Sequence, residues 1–329
     1  MTWRESPQHQ DEFNQSLFFL PCASCPDHNS QIPRTRGYDQ EKVNAGQVYS
    51  MVKVGVHVSI AGSLDLAVDR AKDAGCDVFQ MFSRNPRGWA SRSLTDEDAT
   101  LFRSKVKTTG IIPVDHMPYL PNLASPKPEI YEKSVESLQA ELDRCGRLGI
   151  PYLVTHLGHH LGDGMAGGRM RVIKAISTAL EKSDNDTMLL LENTAGEKNS
   201  VGSSFEHIRA IMDELAFPGR VGVCFDTCHA FAAGYELRTE EGLKETLAQF
   251  DEQVRIKHLK VIHLNDTKGD RGSGLDRHEH IGMGFIGEEG FRRILHHKAI
   301  ASLPLVCETP VDERRDDRGN IEKVRELAG

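Results

Sequence analysis

No apolar run in this 329-residue chain approaches the ~18–20 residues that a membrane-spanning helix requires. Together with a mean hydropathy of -0.43, that excludes a transmembrane helix. Positive charge is in deficit: 40 Lys and Arg stand against 48 Asp and Glu, a formal net charge of -8. This argues against a sequence-blind nucleic-acid binder, which carries a basic face, but not against a DNA enzyme whose bound metal reverses the local field. The seven cysteines are odd in number and scattered, so a secreted disulfide framework is not expected. A reducing compartment is: cytoplasm with use at the nucleoid, or nucleus. No glycine-rich phosphate fingerprint follows any apolar segment, which weakens a nucleotide-binding fold. With 39% hydrophobic and 27% charged residues, collagen-like, coiled-coil and wholly disordered classes are excluded, and the length suffices for a substantial core.

Residues 1–50 are polar, carry Pro7, Pro21, Pro26 and Pro33, and show neither a helical nor a strand period. The patch Leu17–Leu20 is too short, and wrongly flanked, for a signal-peptide core. Cys22 and Cys25 form a CxxC pair, but no second pair exists to complete a zinc site. A disordered extension, or a start assigned upstream of the true Met51, is expected here, with one domain over 51–329.

From Met51 onward the punctuation becomes regular. Short apolar segments at 52–58, 76–82, 111–116, 152–156, 188–193, 221–227, 259–265 and 303–309 read as strands. Between them lie amphipathic helices. Ser63 is expected to cap one closed by Gly75; Thr95 opens another closed by Gly110; 128–148 is a long helix. Further helices are expected near 169–182, at 203–215 behind a Ser203–Glu206 capping box, around Leu243–Val254, around 291–295 and near 321–327. Apolar strands alternating with amphipathic helices imply a parallel sheet covered by helices. Eight such units favour a closed α/β architecture, the (β/α)8 TIM barrel, over an open doubly wound sheet.

The carboxyl ends of these strands hold His57, His116, His156, Glu192, Asp226, His263 and Glu308, all at the barrel face where active sites are built. Acids and imidazoles converging in a buried place without partners are costly, and metal ions are the simplest compensation. Nitrogen and oxygen donors without thiolate suit zinc, with manganese or iron as weaker candidates. In the loops beyond, His229 follows Asp226 by three residues, and Asp276 and His278 alternate in a glycine-bordered segment, so that both could grip one ion.

These residues lie in segments that resemble endonuclease IV (deoxyribonuclease IV), the zinc-dependent apurinic/apyrimidinic endonucleases. The segments are GVHVSIAG from Gly55, FSRNPRGW from Phe82, HMPYLPNLA from His116, THLGHH from Thr155, LENTAG from Leu191, VGVCFDTCHAFAAGYELRT from Val221, HLNDTK from His263, DRHEHIGMGFIG from Asp276 and LVCETP from Leu305. The resemblance spans Met51 to the C-terminus in the family's order. It implies three zinc ions: one on His116, His156 and Glu192; a second on Glu192 as a bridging carboxylate with Asp226, His263 and Glu308; a third on His229, Asp276 and His278. It implies hydrolysis of double-stranded DNA 5′ to an abasic site, leaving a 3′-hydroxyl and a 5′-deoxyribose phosphate, and removal of blocked 3′ ends. Glu192 is the catalytic carboxylate on this reading, with no protein nucleophile. Arg87, Tyr119 and Leu120 match residues that wedge into the base stack at the lesion; from the residues alone, Tyr119 and Leu120 suit a core position better. His57 is not a family ligand, and a hydrogen bond that supports a ligand is expected of it. Cys224 and Cys228 are expected to pack, His159, His160 and His280 are ambiguous, and Lys268 and Arg271 could contact phosphate or solvent. A monomer with no membrane partner is expected.

The main alternative is a metal-dependent sugar isomerase or epimerase, since related barrels use similar rings of His, Glu and Asp. Such an enzyme has no use for a third ligand group or for a DNA wedge. A metal-stabilised DNA-binding scaffold without activity would lack the bridging carboxylate, and Glu192 is present.

Overall fold

In the computed structural model, residues 52–90 and 92–329 are described; the expectations for residues 1–50, Cys22 and Cys25 among them, lie outside the described residues. The strands are β1 (Lys53–Val56), β2 (Val78–Met81), β3 (Ile112–His116), β4 (Tyr152–Thr155), β5 (Met188–Glu192), β6 (Val221–Asp226), β7 (Leu259–His263), the short pair β8 (Asp266–Thr267) and β9 (His278–Glu279), and β10 (Pro304–Cys307). Eight of them form one parallel sheet in the order β1-β10-β7-β6-β5-β4-β3-β2. Its two ends meet through a parallel bridge between His57 and Gln80, with Asp77 N and Val58 N donating to Val54 O and Gln80 O, each at 2.8 Å. The sheet therefore closes into the expected (β/α)8 barrel. Gly55 marks the closure, because a Cβ there would lie 1.5 Å from Val78 O.

The helices are α1 (Leu66–Ala74), α2 (Asp96–Thr109), α3 (Pro128–Leu148), α4 (Met165–Lys182), α5 (Phe205–Met212), α6 (Thr227–Ala232), α7 (Glu240–Gln253), α8 (Gly287–His296) and α9 (Asp317–Ala328). Their apolar faces pack on the outside of the sheet in a core that includes Phe79, Phe102, Leu138, Ile176, Phe205, Phe250 and Phe291. Local chemistry sets most of the boundaries. Thr95 caps α2 in a reciprocal box with Asp98, and α3 begins on Pro128 and ends on Gly149 in the left-handed region, φ 70°, as its sequence implies.

Two caps differ from expectation. Ser63 donates to Asp65 Oδ1 at 2.6 Å, and Asp65 Oδ2 also pairs with Lys105 at 2.7 Å. Ser63 thus lies in the turn ahead of the helix, and α1 starts at Leu66 behind Asp65 without a side-chain cap bond. At α5 the cap is Ser204, which accepts from His207 N. Glu206 then falls one position too early to close a capping box. The hairpin β8–β9 and helix α6 had no signal of their own in the hydrophobic period, being only 2, 2 and 6 residues long. Among the described residues no helix is long and apolar enough to cross a membrane.

The barrel interior explains where chemistry is placed. A separate buried cluster takes one side chain from each of seven strands: Val78, Val114, Val154, Leu190, Cys224, Val261 and Val306. Side chains two residues apart along a strand share a face. One step toward the carboxyl ends from this apolar layer therefore come Gln80, His116, His156, Glu192, Asp226, His263 and Glu308, with His57 two residues beyond Gly55. The polar ring is thus the top layer of the barrel's filling, held up by an apolar layer beneath it.

Candidate metal centre

The ring resolves into groups close enough to share ions. His116, His156 and Glu192 place donor atoms within 4.8 Å of one another; so do Glu192, Asp226, His263 and Glu308, and so do His229, Asp276 and His278. Glu192 belongs to two of these groups through different oxygens. Its Oε2 lies 3.2 Å from His116 Nε2 and 3.3 Å from His156 Nε2, while its Oε1 lies 2.9 Å from His263 Nδ1. Glu308 Oε2 is 3.3 Å from the same His263 nitrogen, and Asp226 Oδ2 is 3.9 Å from it.

Backbone carbonyls orient the imidazoles. His116 Nδ1 donates to Met117 O at 2.7 Å, His229 Nδ1 to Asn193 O at 2.9 Å and His278 Nδ1 to Glu308 O at 3.0 Å. Each bond fixes one nitrogen as the proton carrier and turns the other, Nε2, toward the cleft as a lone pair. Asp226 serves two purposes: Oδ1 caps α6 by accepting from His229 N at 2.7 Å, and Oδ2 accepts from Asn265 Nδ2 at 2.7 Å. The cap makes the chain turn into a helix directly after β6, which brings His229 back over the ring.

The donor set fits divalent metal. His229 Nε2 and His278 Nε2 are buried and have no hydrogen-bond partner, yet both face Asp276 Oδ1, at 3.2 and 3.5 Å. Unpartnered buried nitrogens cost free energy, and a cation shared with Asp276 would satisfy both. Charge points the same way. Burial opposes ionisation of Glu192, but His156, His263 and His116 hold its carboxyl well below the ordinary range. Burial likewise opposes protonation of His229, but Asp226, Asp276 and Glu192 favour positive charge there and hold its pKa well above the ordinary value, a demand that a cation at Nε2 would meet in the proton's place. Against the same burial, neighbouring imidazoles hold the carboxyls of Asp276 and Glu308 down to about 2, so negative charge is favoured on both sides of the ring. All the donors are nitrogen or oxygen, a set that suits zinc among biological dications.

The remaining side chains sort by contact. His57 Nδ1 is 3.1 Å from Gln80 Nε2 and 4.0 Å from Glu308 Oε1, so its polar contacts are to groups around the ring. Burial lowers its pKa to about 4. Cys228 lies within reach of Asp226 and His278, but burial pushes its thiol well up; Cys224 is pushed up to about 12 by the same cause. His160 Nδ1 accepts from Gly162 N and Gly164 N, and His280 is buried against Asp312 and Asn320; both shape loops. Arg271 pairs with Glu236 at 3.1 Å, while Lys268 is exposed.

At the rim, Tyr119 is 67% and Leu120 39% exposed, and Arg87 is exposed beside them. The core position that their chemistry suggested is therefore wrong: both stand on the loop after β3, pointing out of the barrel mouth. Tyr119 N donates to Pro86 O at 3.2 Å, which ties this loop to the Arg87 loop, and the Tyr119 ring packs edge-on against Phe82 at 5.0 Å. Phe82 in turn touches His57 and His116, at 4.4 and 5.8 Å between ring centroids. Beneath the Arg87 loop lies a buried ion pair. Arg84 Nε donates to Glu141 of α3, Arg84 Nη1 donates to Trp89 O at 2.8 Å, and Ser83 Oγ donates to the other Glu141 oxygen.

Sequence reasoning missed Gln80, the β2 member of the ring, because it sought only imidazoles and carboxylates. Counting two residues beyond Val78 would have found it. It also missed Asp266, a buried carboxylate that accepts from Gly282, Gly284, Ile286 and Gly287 N and so folds the loop after His278.

A family model described as a xylose isomerase-like TIM barrel matches residues 68–328. Proteins named "Probable endonuclease 4" from Methanoculleus marisnigri and Nitrosopumilus maritimus are 64% and 52% identical over 281 and 280 residues, covering 85% and 84% of this chain and 100% of their own lengths. The crystal structure of endonuclease IV from Thermus thermophilus is 33% identical, with TM-score 0.75, over 84% of this chain and 98% of that one. A D-tagatose 3-epimerase-like protein is 18% identical, with TM-score 0.64, over 84% and 95%, a likeness of fold alone.

Proposed function

From the premise that this chain belongs to the endonuclease IV family of DNA-cleaving hydrolases within the xylose isomerase-like TIM barrels, we propose that it incises duplex DNA on the 5′ side of abasic sites. The products on this reading are a 3′-hydroxyl and a 5′-deoxyribose phosphate, and blocked 3′ ends are further substrates. The observation that carries it is the joining of two ligand groups through Glu192, with the third group of His229, Asp276 and His278 beside them, under an exposed planar and apolar rim at Tyr119 and Leu120.

Three zinc ions are assigned: the first to His116, His156 and Glu192, the second to Glu192, Asp226, His263 and Glu308, the third to His229, Asp276 and His278. Zinc so held supplies a hydroxide source near neutral pH and positive charge for the phosphate and the departing 3′ oxygen. The chain's residues provide the rest. Glu192 presents one oxygen to each of two ligand groups and thereby fixes their spacing. Met117 O, Asn193 O and Glu308 O hold the imidazoles of His116, His229 and His278 in single orientations, so the mouth is organised before substrate arrives. Tyr119 and Leu120 fill the gap left by a missing base, Arg87 supplies a cation at the same edge, and the abasic nucleotide leaves the stack at low cost. The formal charge of -8 is no obstacle, since three dications at the mouth would offset most of it where the phosphate approaches.

A sugar epimerase of the related barrels would need neither the third ligand group nor the rim. The test is incision of a duplex containing one abasic analogue, with an undamaged duplex and a panel of ketohexoses in parallel. Cleavage only at the lesion is expected; ketohexose epimerisation without cleavage would contradict the assignment. Tyr119→Ala should weaken binding of the lesion duplex by about 1–3 kcal/mol, the usual worth of an aromatic contact to a nucleic-acid base, with zinc content unchanged. Loss of zinc in that variant would show the ring to be structural support rather than wedge.

A further inference from the structure

We propose that Gln80 is a positioning residue that selects which atoms of His263 and Glu308 are offered to metal; this rests on the metal reading above. Gln80 is fully buried and is the one member of the top layer that is neither imidazole nor carboxylate. Its Nε2 lies 2.6 Å from Glu308 Oε1 and 3.1 Å from His57 Nδ1. Its Oε1 lies 2.8 Å from His263 Nε2.

The orientation of this amide is dictated by chemistry. Turned over, it would set a carbonyl oxygen against a carboxylate oxygen, two acceptors with no proton between them. So both N–H groups are used, one to Glu308 and one to His57. The amide oxygen can only accept, so His263 must carry its proton on Nε2. Its Nδ1 is then the lone-pair nitrogen, and Nδ1 is the atom that faces Glu192 Oε1 at 2.9 Å and Glu308 Oε2 at 3.3 Å. The same amide occupies Glu308 Oε1 and leaves Oε2 turned toward the ring. One neutral side chain thus settles the tautomer of one ligand and the free oxygen of another. The same bond makes His57 Nδ1 an acceptor, which gives His57 its place beside the ring without making it a ligand.

Groups that orient metal ligands typically alter metal affinity by about 10- to 100-fold. The effect here should be confined to the ion assigned to Asp226, His263 and Glu308, because Gln80 touches no member of the other two groups outside it. The experiment is zinc competition with a graded chelator on the full-length, zinc-loaded protein, comparing wild type with Gln80→Met and Gln80→Glu. Met keeps the length and removes every hydrogen bond; Glu keeps the shape and sets a second carboxylate against Glu308. One zinc of three is expected to weaken by about 10- to 100-fold in both variants, the other two staying as in wild type and the far-UV circular dichroism unchanged. If Gln80→Met fails to fold, Gln80→Glu decides alone. Wild-type affinity at all three ions, or uniform weakening of all three, overturns the role of Gln80 while leaving the metal reading intact. Fewer than two tight ions in wild type overturns the metal reading and this inference together.

Discussion

Replacing Glu192 with Gln should lower incision of an abasic duplex by roughly three orders of magnitude or more, the scale seen when a preorganised electrostatic element is lost from an active site. The isostere keeps the volume of a side chain that is fully buried. It nevertheless turns one of two ligating oxygens into an NH2 group. Oε2 faces His116 and His156, and Oε1 faces His263, so whichever position receives the nitrogen, one group loses a donor and gains a repelling proton. Zinc content should fall with activity, and the circular dichroism should hold. Full activity in Glu192→Gln would mean that the bridging arrangement is not what cleaves DNA.

The second large effect lies under the rim rather than in the ring. Glu141→Ala should destabilise the protein by about 3–5 kcal/mol, the cost of breaking a buried ion pair from one side. Side-chain exposure is 5% for Arg84 and 0% for Glu141, so the guanidinium left behind stays largely buried without its counter-ion. Arg84 also holds Trp89 O, and Ser83 bonds both Glu141 and Arg144. The segment that carries Arg87 is therefore anchored to α3 through this cluster. Chemical denaturation measures the loss. The double variant Arg84→Met, Glu141→Leu, which removes both charges, should recover most of it. A loss below about 1 kcal/mol in Glu141→Ala, the range of an exposed pair, would contradict the burial argument. If the anchor matters for substrate, the double variant should also bind the abasic duplex more weakly than wild type while keeping its zinc.

The barrel and most of the ring were legible in the sequence for one reason. Two-residue alternation in a strand puts His116 above Val114, Glu192 above Leu190 and His263 above Val261, so a polar residue closing an apolar run marks the barrel mouth. The loop ligands were legible in part. Asp276 and His278 alternate in an extended segment, and His229 follows Asp226 by three residues; what the pattern did not carry is that a short helix capped by Asp226 makes this turn. Gln80 escaped because an amide carries no charge and so no signal of ligation, even though its position in β2 is equivalent to that of the ligands. Tyr119 and Leu120 were named through the resemblance and not through their own chemistry: burial is the ordinary fate of such side chains, and the fold leaves them outside. At α1 and α5 neighbouring residues compete for the cap position: Asp65 and not Ser63 precedes α1, and Ser204 and not Ser203 precedes α5. Such contests are decided by neighbours in space rather than by the residue pattern.

The most direct test of the whole account is anomalous diffraction at the zinc edge from crystals of the protein as purified. Three peaks are predicted, with Glu192 between two of them and the third bounded by His229, Asp276 and His278, at ordinary Zn–N and Zn–O distances of about 2.0–2.2 Å. Fewer than two peaks in the barrel mouth, or zinc bound away from these side chains, would contradict it.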